Sequence, residues 1–246
     1  GHASLGANTT GASNTAVGFA AMAATTTAAN NAALGANALG TNSTGASNTA
    51  TGVSALQNNT TASNNTASGH FALKLNTTGT SNVAIGKDAL EANTTSNYQV
   101  AVGHEALEAS QTSGVNADAY NVAVGHNAAK TLTTGIRNTA IGGLAMQSGA
   151  ITGDDNTSLG AFSLRALTTG SDNTAVGSSA LVANTTADNN TAVGRSALAA
   201  NTTGANNAAL GREALLSNTT GASNSAFGST ALDANTTGSF NTALGQ

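Results

Sequence analysis

The chain of 246 residues contains no cysteine, no proline and no tryptophan, and only 7% of its residues are charged. Without cysteine there are no disulfides and there is no thiol chemistry. Proline would remove a backbone donor from a ladder of strands, so its absence suits a β structure. Low charge without proline also argues against disorder, because disordered chains are usually charged and proline-rich.

Two further absences exclude classes of partner. The net charge is −4 and no basic stripe is present, so nucleic acid is not expected as a partner. No apolar run approaches the roughly 18 residues that a membrane helix needs. We therefore expect no membrane insertion in this segment.

What the chain does contain is a repeat. A glycine, which we call the anchor glycine, recurs once per repeat and follows a small or apolar pair from Gly18 onwards. The anchor glycines are Gly1, Gly18, Gly35, Gly52, Gly69, Gly86, Gly103, Gly125, Gly142, Gly160, Gly177, Gly194, Gly211, Gly228 and Gly245. Of the fourteen intervals, twelve are 17 residues long, one is 22 and one is 18. Residues 1–246 are therefore one repeat array. Because the array starts and stops at repeat boundaries, we expect it to be one segment of a longer fibre.

The repeat length predicts the fold class. Seventeen residues are too few for a helical repeat, since those run to about 33 or more. The consensus N-T-A-V-G-x-x-A-L-x-A-N-T-T-G-x-x offers two strand-like pieces, N-T-A-V and A-L, with asparagine and glycine at the turns. The sequence predicts an all-β protein, a parallel β-solenoid or β-roll of about fourteen 17-residue coils.

Apolar residues recur at two positions of the repeat, one directly before each anchor glycine and one four residues after it. We call the set of residues at one repeat position a column. The residues predicted to form core or assembly columns are Val17, Leu39, Leu56, Leu73, Ile85, Leu90, Val102, Leu107, Val124, Ile141, Val176, Leu181, Val193, Leu198, Leu215 and Leu232. Apolar residues are adjacent in pairs such as Ala175 with Val176, and neighbours on a strand face opposite ways. A strand that is apolar on both faces is buried on both. The second face predicts self-association, and symmetric closure makes a cyclic homo-oligomer the expected form.

A third column consists of asparagine, four residues before the anchor glycine. It includes Asn14, Asn48, Asn82, Asn121, Asn138, Asn173, Asn190, Asn224 and Asn241, and Gln99 is its one departure. Stacked amides of this kind form a hydrogen-bonded ladder, or they cap a turn by bonding nearby backbone. The sequence leaves both alternatives open.

The strand motif resembles a known family. The run Asn-Val-Ala-Ile-Gly at 82–86, with its relatives at 121–125 and 173–177, resembles the N-S-V-A-I-G motif of YadA-like trimeric autotransporter adhesin heads. The longer unit resembles repeats of bacteriophage tail fibres and related bacterial surface fibres. The resemblance implies a left-handed β-roll that trimerises around an inner strand, outside the cell or on a virion. The family's repeat is usually shorter than 17 residues, so we expect a coil of different outline.

These observations predict a structural or adhesive segment of an extracellular, cell-surface or virion fibre, a rigid trimeric spacer that contacts a host or surface receptor. No nucleophile elbow, P-loop or dinucleotide fingerprint occurs, so we expect no enzyme, no catalytic site and no cofactor.

All four histidines directly follow an anchor glycine: His2, His70, His104 and His126. Solvated surface side chains explain these histidines more simply than a metal or receptor site does. A metal site needs three or four convergent ligands. We therefore predict no metal site.

The threonine pairs permit two other interpretations. Regular threonine columns on a flat solenoid face bind ice, and ice binding is the alternative function. The Asn-Thr-Thr motifs at Asn8, Asn59, Asn76, Asn93, Asn184, Asn201, Asn218 and Asn235, and the variant at Asn42, also match the N-glycosylation sequon. Glycans at these sites are a possible decoration, and turn-forming asparagines without glycans are the simpler interpretation.

The two irregular intervals predict loops. Five extra residues fall around 113–119 and one near 152–155, so segments 111–120 and 149–155 should bulge from the surface. Loops on a regular scaffold often carry binding residues. The residues expected to contact a surface are Gln111, Asp118, Tyr120, Asp154 and Asp155. A tolerated bulge without a partner is the alternative.

Overall fold

A computed structural model describes residues 1–111 and 118–246, and within these residues the secondary structure is entirely β. The described part contains fourteen strands of three residues each. They are β1 Thr15–Val17, β2 Ala32–Leu34, β3 Thr49–Thr51, β4 Thr66–Ser68, β5 Val83–Ile85, β6 Val100–Val102, β7 Val122–Val124, β8 Thr139–Ile141, β9 Thr157–Leu159, β10 Thr174–Val176, β11 Thr191–Val193, β12 Ala208–Leu210, β13 Ser225–Phe227 and β14 Thr242–Leu244. Among the same residues, no helix has the length and apolar character needed to cross a membrane.

The strands stack in parallel, each in register with the same position of the next coil. Thr174 pairs with Thr191, and Val176 pairs with Val193, 17 residues on. The predicted fold class is therefore confirmed: the chain is a parallel β-solenoid of about thirteen turns. It divides into two compact units, Gly1–Ala123 and Val124–Gln246.

Each strand ends at its anchor glycine because the backbone there turns in a way that only glycine tolerates. Gly177 has a φ of 126°, a conformation that side chains strongly disfavour. A Cβ at this position would lie 2.7 Å from the carbonyl oxygen of Gly194 in the next coil. Glycine thus permits both the turn and the close stacking of successive coils.

The second strand-like piece, A-L, is not a strand, and this part of the sequence interpretation was wrong. Ser179 and Leu181 have positive φ values of 59° and 51°, so the chain winds through a left-handed turn. In that turn side chains no longer alternate between faces, and Ala180 and Leu181 are both fully buried. The A-L pair therefore contributes to the interior of its own coil and presents no second apolar face.

The interior combines small apolar side chains with buried amides. In the coil around Gly177, five side chains point inward and are fully buried: Ala175, Ala180, Leu181, Asn184 and Asn190. Buried amides are costly unless they are hydrogen-bonded. The positions of their partners therefore decide whether this narrow coil is stable.

Candidate functional site

Two amide ladders line the interior. The first amide ladder is the asparagine column four residues before the anchor glycine. In it, the Oδ1 atom of Asn156 accepts hydrogen bonds from the backbone N–H and the Nδ2 of Asn173, at 3.1 and 3.0 Å. Asn173 Nδ2 also donates to the carbonyl oxygen of Ala187, at 2.8 Å. The same side chain thus forms a ladder and caps a turn, so the two alternatives that the sequence left open occur together.

The second amide ladder is formed by the asparagines of the Asn-Thr-Thr motifs. Asn201 Nδ2 donates to Asn184 Oδ1 at 3.1 Å and to the Gly204 carbonyl at 2.9 Å. These Nδ2 atoms are the ones to which an N-linked glycan would attach. The members with no exposed surface are Asn42, Asn59, Asn76, Asn93, Asn184, Asn201 and Asn218. The packed coil leaves no space for a glycan on these amides, whereas Asn8 is exposed and Asn235 half-buried.

Gln99 shows how the first ladder accommodates a different side chain. The second column holds the shorter Ser110 in the adjoining coil, and Ser110 Oγ donates to Gln99 Oε1 at 2.6 Å. Gln99 Nε2 reaches Asn93 Oδ1 of the second ladder at 3.2 Å. The longer amide thus compensates for the shorter hydroxyl.

The apolar residues just before the anchor glycines face outward. In the unit Val124–Gln246, Ile141, Leu159, Val193, Leu210 and Phe227 are each 37–40% exposed, and Val176 between them is half-buried. These side chains lie on the outer face of consecutive paired strands, β8 to β13. We call this row the apolar stripe.

The unit Gly1–Ala123 carries a shorter version of the same row. Val17, Leu34 and Ile85 are 53%, 54% and 42% exposed, but Thr51 and Ser68 interrupt the series.

The other residues predicted to form core or assembly columns differ in burial according to their position in the repeat. Val102 and Val124 are half-buried on the outer side, whereas Leu39, Leu56, Leu73, Leu90, Leu107, Leu181, Leu198 and Leu215 are fully buried and Leu232 is half-buried. The leucine column is core, and the valine and isoleucine column is surface.

The 22-residue interval brings the chain's two tyrosines together. Tyr98 and Tyr120 stack with ring centroids 5.2 Å apart, and both rings are about half exposed. Tyr120 donates its hydroxyl hydrogen bond to Asp118 Oδ2 at 3.2 Å, and this bond raises the pKa of the tyrosine. Gln111 and Asp118 are exposed. Most of the predicted five-residue loop falls on residues 112–117, which lie outside the described residues.

The 18-residue interval is irregular at a different point from the one expected. Gly149 and Ala150 are the extra residues, and both are exposed, whereas Ile151 returns to the interior beside Leu132. The following turn is one residue shorter than usual, since Gly153 directly follows Thr152. The extra residue predicted near 152–155 was therefore misplaced: two residues are gained before Ile151 and one is lost after it.

The two aspartates of this interval hold neighbouring coils together. Asp154 Oδ1 accepts the backbone N–H of Ile136 at 2.8 Å. The two carboxylate oxygens of Asp155 accept from Arg137 Nε and Nη2, each at 2.7 Å. This pair of hydrogen bonds lowers the pKa of Asp155.

One cluster that sequence reasoning did not find lies in the unit Gly1–Ala123. Asp88, His104 and Glu105 each offer a ligand atom, and these atoms lie within 4.8 Å of one another. The signal was present in the repeat register, because Asp88 and Glu105 occupy the same position of adjacent coils and His104 precedes Glu105. In the sequence alone the histidines stand out only as a column of their own.

Comparisons of this chain with protein-family profiles, with curated proteins and with solved structures gave no match in any of the three.

Proposed function

We propose that this chain is a structural segment of an extracellular, cell-surface or virion fibre that assembles as a homotrimer through its apolar stripe. The observation that carries the proposal is the apolar row from Ile141 to Phe227 on the outer face of consecutive strands, exposed except at the half-buried Val176. An exposed row of large apolar side chains usually marks an interaction surface. The coil has no second interior that could bury it.

A second copy of the same chain is the partner that fits the stripe. Its apolar side chains recur once per coil, at the spacing of about 4.8 Å that separates stacked strands. A copy of this chain in the same axial register repeats at the same spacing, so every coil meets an equivalent coil. Closed cyclic symmetry then limits the assembly to a definite number of chains. The resemblance of the strand motif to trimeric adhesin heads supports three.

The stacking of the coils supports a spacer function. Each coil bonds to the next through its strand, its amides and its threonine hydroxyls, such as Thr202 Oγ1 to the Thr219 carbonyl at 3.1 Å. Length is therefore added coil by coil, as in other solenoids. A role in attachment to a host or surface receptor is assigned to the exposed residues beside the irregular intervals, among them Gln111, Asp118 and Tyr120.

Sedimentation equilibrium tests the assembly. We expect a species of three times 23.6 kDa for the wild-type chain. The double change Val193→Thr and Leu210→Thr keeps the strands but replaces two apolar side chains of the stripe, and it should shift the equilibrium towards monomer. Thr203→Ser with Thr220→Ser alters exposed turn residues of the same two coils and should leave the trimer intact. A wild-type chain that stays monomeric at about 100 μM, far above a micromolar Kd, contradicts the proposal.

Ice binding remains the second candidate because one threonine column is regular and exposed. Thr186, Thr203 and Thr220 are exposed in consecutive coils. The threonine before each of them uses its hydroxyl inside the protein, as Thr185 Oγ1 does with the Thr202 carbonyl at 3.3 Å. One hydroxyl column is thus available rather than two, which favours the fibre proposal. Thermal hysteresis that is abolished by Thr203→Val would instead support ice binding.

A further inference from the structure

The cluster at Asp88, His104 and Glu105 has a geometry that a simple surface ion pair does not explain. Asp88 is only 8% exposed. One of its carboxylate oxygens, Oδ2, contacts the ammonium of Lys87. The other, Oδ1, is buried and has no hydrogen-bond partner. A buried carboxylate oxygen without a donor is costly, so the position favours a positively charged ligand.

The repeat itself brings like charges together here. Asp88 and Glu105 are each the second residue after an anchor glycine, so their carboxylates stack in adjacent coils. Two like charges held close together repel each other unless an opposite charge compensates them. Lys87 supplies one positive charge from the solvent side, where its side chain is about half exposed. The ammonium therefore screens one face of the cluster and leaves Oδ1 of Asp88 unsatisfied.

His104 completes a donor set for a metal ion. Its Nδ1 atom lies 3.8 Å from Glu105 Oε2, and its side chain is partly exposed. The three potential ligand atoms lie within 4.8 Å of one another, close enough for small side-chain rotations to bring them around one ion. An imidazole with two carboxylates suits zinc and similar transition ions, whereas calcium and magnesium prefer oxygen ligands alone.

We propose that Asp88, His104 and Glu105 form a binding site for a divalent transition-metal ion such as Zn²⁺. Asp88 Oδ1, one ring nitrogen of His104 and one carboxylate oxygen of Glu105 bind the ion, and water fills the remaining position. Because Asp88 and Glu105 belong to adjacent coils, the ion links these coils. This site is independent of the proposed fibre function and of the state of assembly.

Calorimetric titration of the purified, metal-free protein with Zn²⁺ tests the site. We expect one equivalent bound per chain and a rise in melting temperature with zinc concentration, because a ligand that binds only the folded state stabilises it. Mg²⁺ at the same concentration should produce neither effect. His104→Ala should weaken zinc binding by about 100-fold or more, since even changes to groups behind the ligands cost about 10–100-fold.

Matched variants separate this site from binding to other histidines. His70→Ala removes a histidine at the same position of an earlier coil and should leave zinc affinity unchanged. Asp88→Asn should abolish the zinc-dependent rise in melting temperature, and Glu105→Gln provides a second test if Asp88→Asn does not fold. The proposal is overturned if 1 mM Zn²⁺, a concentration well above a Kd of about 1 μM, produces neither heat nor a melting shift. Equal affinity in His104→Ala and wild type, which indicates binding elsewhere, overturns it too.

Discussion

The second interior column changes its chemistry within the unit Val124–Gln246. In the later coils it is the second amide ladder, in which Asn218 Nδ2 donates to Asn201 Oδ1 at 3.0 Å. In the earlier coils the same column holds Leu132, Ile151 and Leu167, and all three are fully buried. One backbone path thus accepts either a chain of hydrogen bonds or a row of packed aliphatic side chains.

The difference teaches that each of these two stretches of the column, the amide block and the apolar block, is most stable when it is uniform inside. An amide within the ladder has an amide on each side as acceptor and donor, whereas a leucine needs apolar neighbours. At the boundary Asn184 adjoins Leu167, and its Nδ2 donates to the Ala187 carbonyl at 3.1 Å. Thr25 shows the result of mixing. It lies in the column between Asn8 and Asn42, is fully buried, and its hydroxyl oxygen has no hydrogen-bond partner.

The largest expected effect comes from the leucine column, which both blocks share. Leu181→Asp places an unpaired carboxylate in the core, and we expect a loss of at least about 4–5 kcal/mol of unfolding free energy. Urea denaturation followed by circular dichroism measures it. Val182→Asp, at the half-buried neighbouring position, is the control and should cost far less. A stable Leu181→Asp protein would show that this column is not core.

A change inside the amide block should have the next largest effect. Asn201→Leu removes the acceptor of one Asn218 Nδ2 hydrogen and the donor to both Asn184 Oδ1 and the Gly204 carbonyl. We expect a loss of about 2–4 kcal/mol, because three buried groups each lose a hydrogen bond worth about 1 kcal/mol or more, partly offset by the added apolar contact. The same denaturation experiment measures it, with Thr203→Ser in the same coil as control. A neutral result would mean that the two blocks tolerate mixing.

The sequence was sufficient for the fold but not for the direction of every side chain. The spacing of the anchor glycines determined the coil length, the parallel register and the leucine column. The A-L pair was misassigned because the left-handed backbone at Ser179 and Leu181 breaks the alternation expected of a strand. Leucine is an uncommon choice for such a conformation, so residue type gave no warning.

The candidate surfaces were predictable only in part, for a related reason. Val176 and its equivalents were expected at an interface, and the structure places them outward, whereas Leu181 is fully buried and has no surface to offer a partner. The cluster of Asp88, His104 and Glu105 was missed because its residues are separated in sequence and meet only through the stacking of coils. The second amide ladder was missed since its asparagines also fit an exposed turn.

Thr25→Asn should repair the mixed position and stabilise the protein. By analogy with the bond from Asn59 Nδ2 to Asn42 Oδ1, at 2.9 Å, the new side chain would accept from Asn42 and donate to Asn8. A net gain of about 1 kcal/mol is expected from the hydrogen bonds and the removal of an unpartnered hydroxyl. Thermal melting measures it, and Thr27→Asn, at an exposed position of the same turn, is the control. A lower melting temperature in Thr25→Asn alone would argue that the column is too narrow there.

The smallest expected effect concerns a bidentate hydrogen-bonded pair on the surface of the coils that contain Leu132 and Ile151. Arg137 holds both carboxylate oxygens of Asp155 at 2.7 Å, and this hydrogen bonding lowers the pKa of Asp155 in the folded state. A lowered folded pKa means that the stabilisation is complete above the unfolded value of about 3.9 and is lost as the pH falls through the folded value. Asp155→Asn should therefore be slightly less stable than wild type at pH 7, and the difference should diminish as the pH is lowered towards about 2. Because the pair is exposed, 1 M NaCl, with a screening length of about 3 Å, should also reduce the difference.

Asp172→Asn, at the same repeat position in the next coil, is the control. Urea denaturation at both pH values measures the stability of all three proteins. A difference that persists undiminished at about pH 2 would assign the effect of Asp155→Asn to packing rather than to the ion pair.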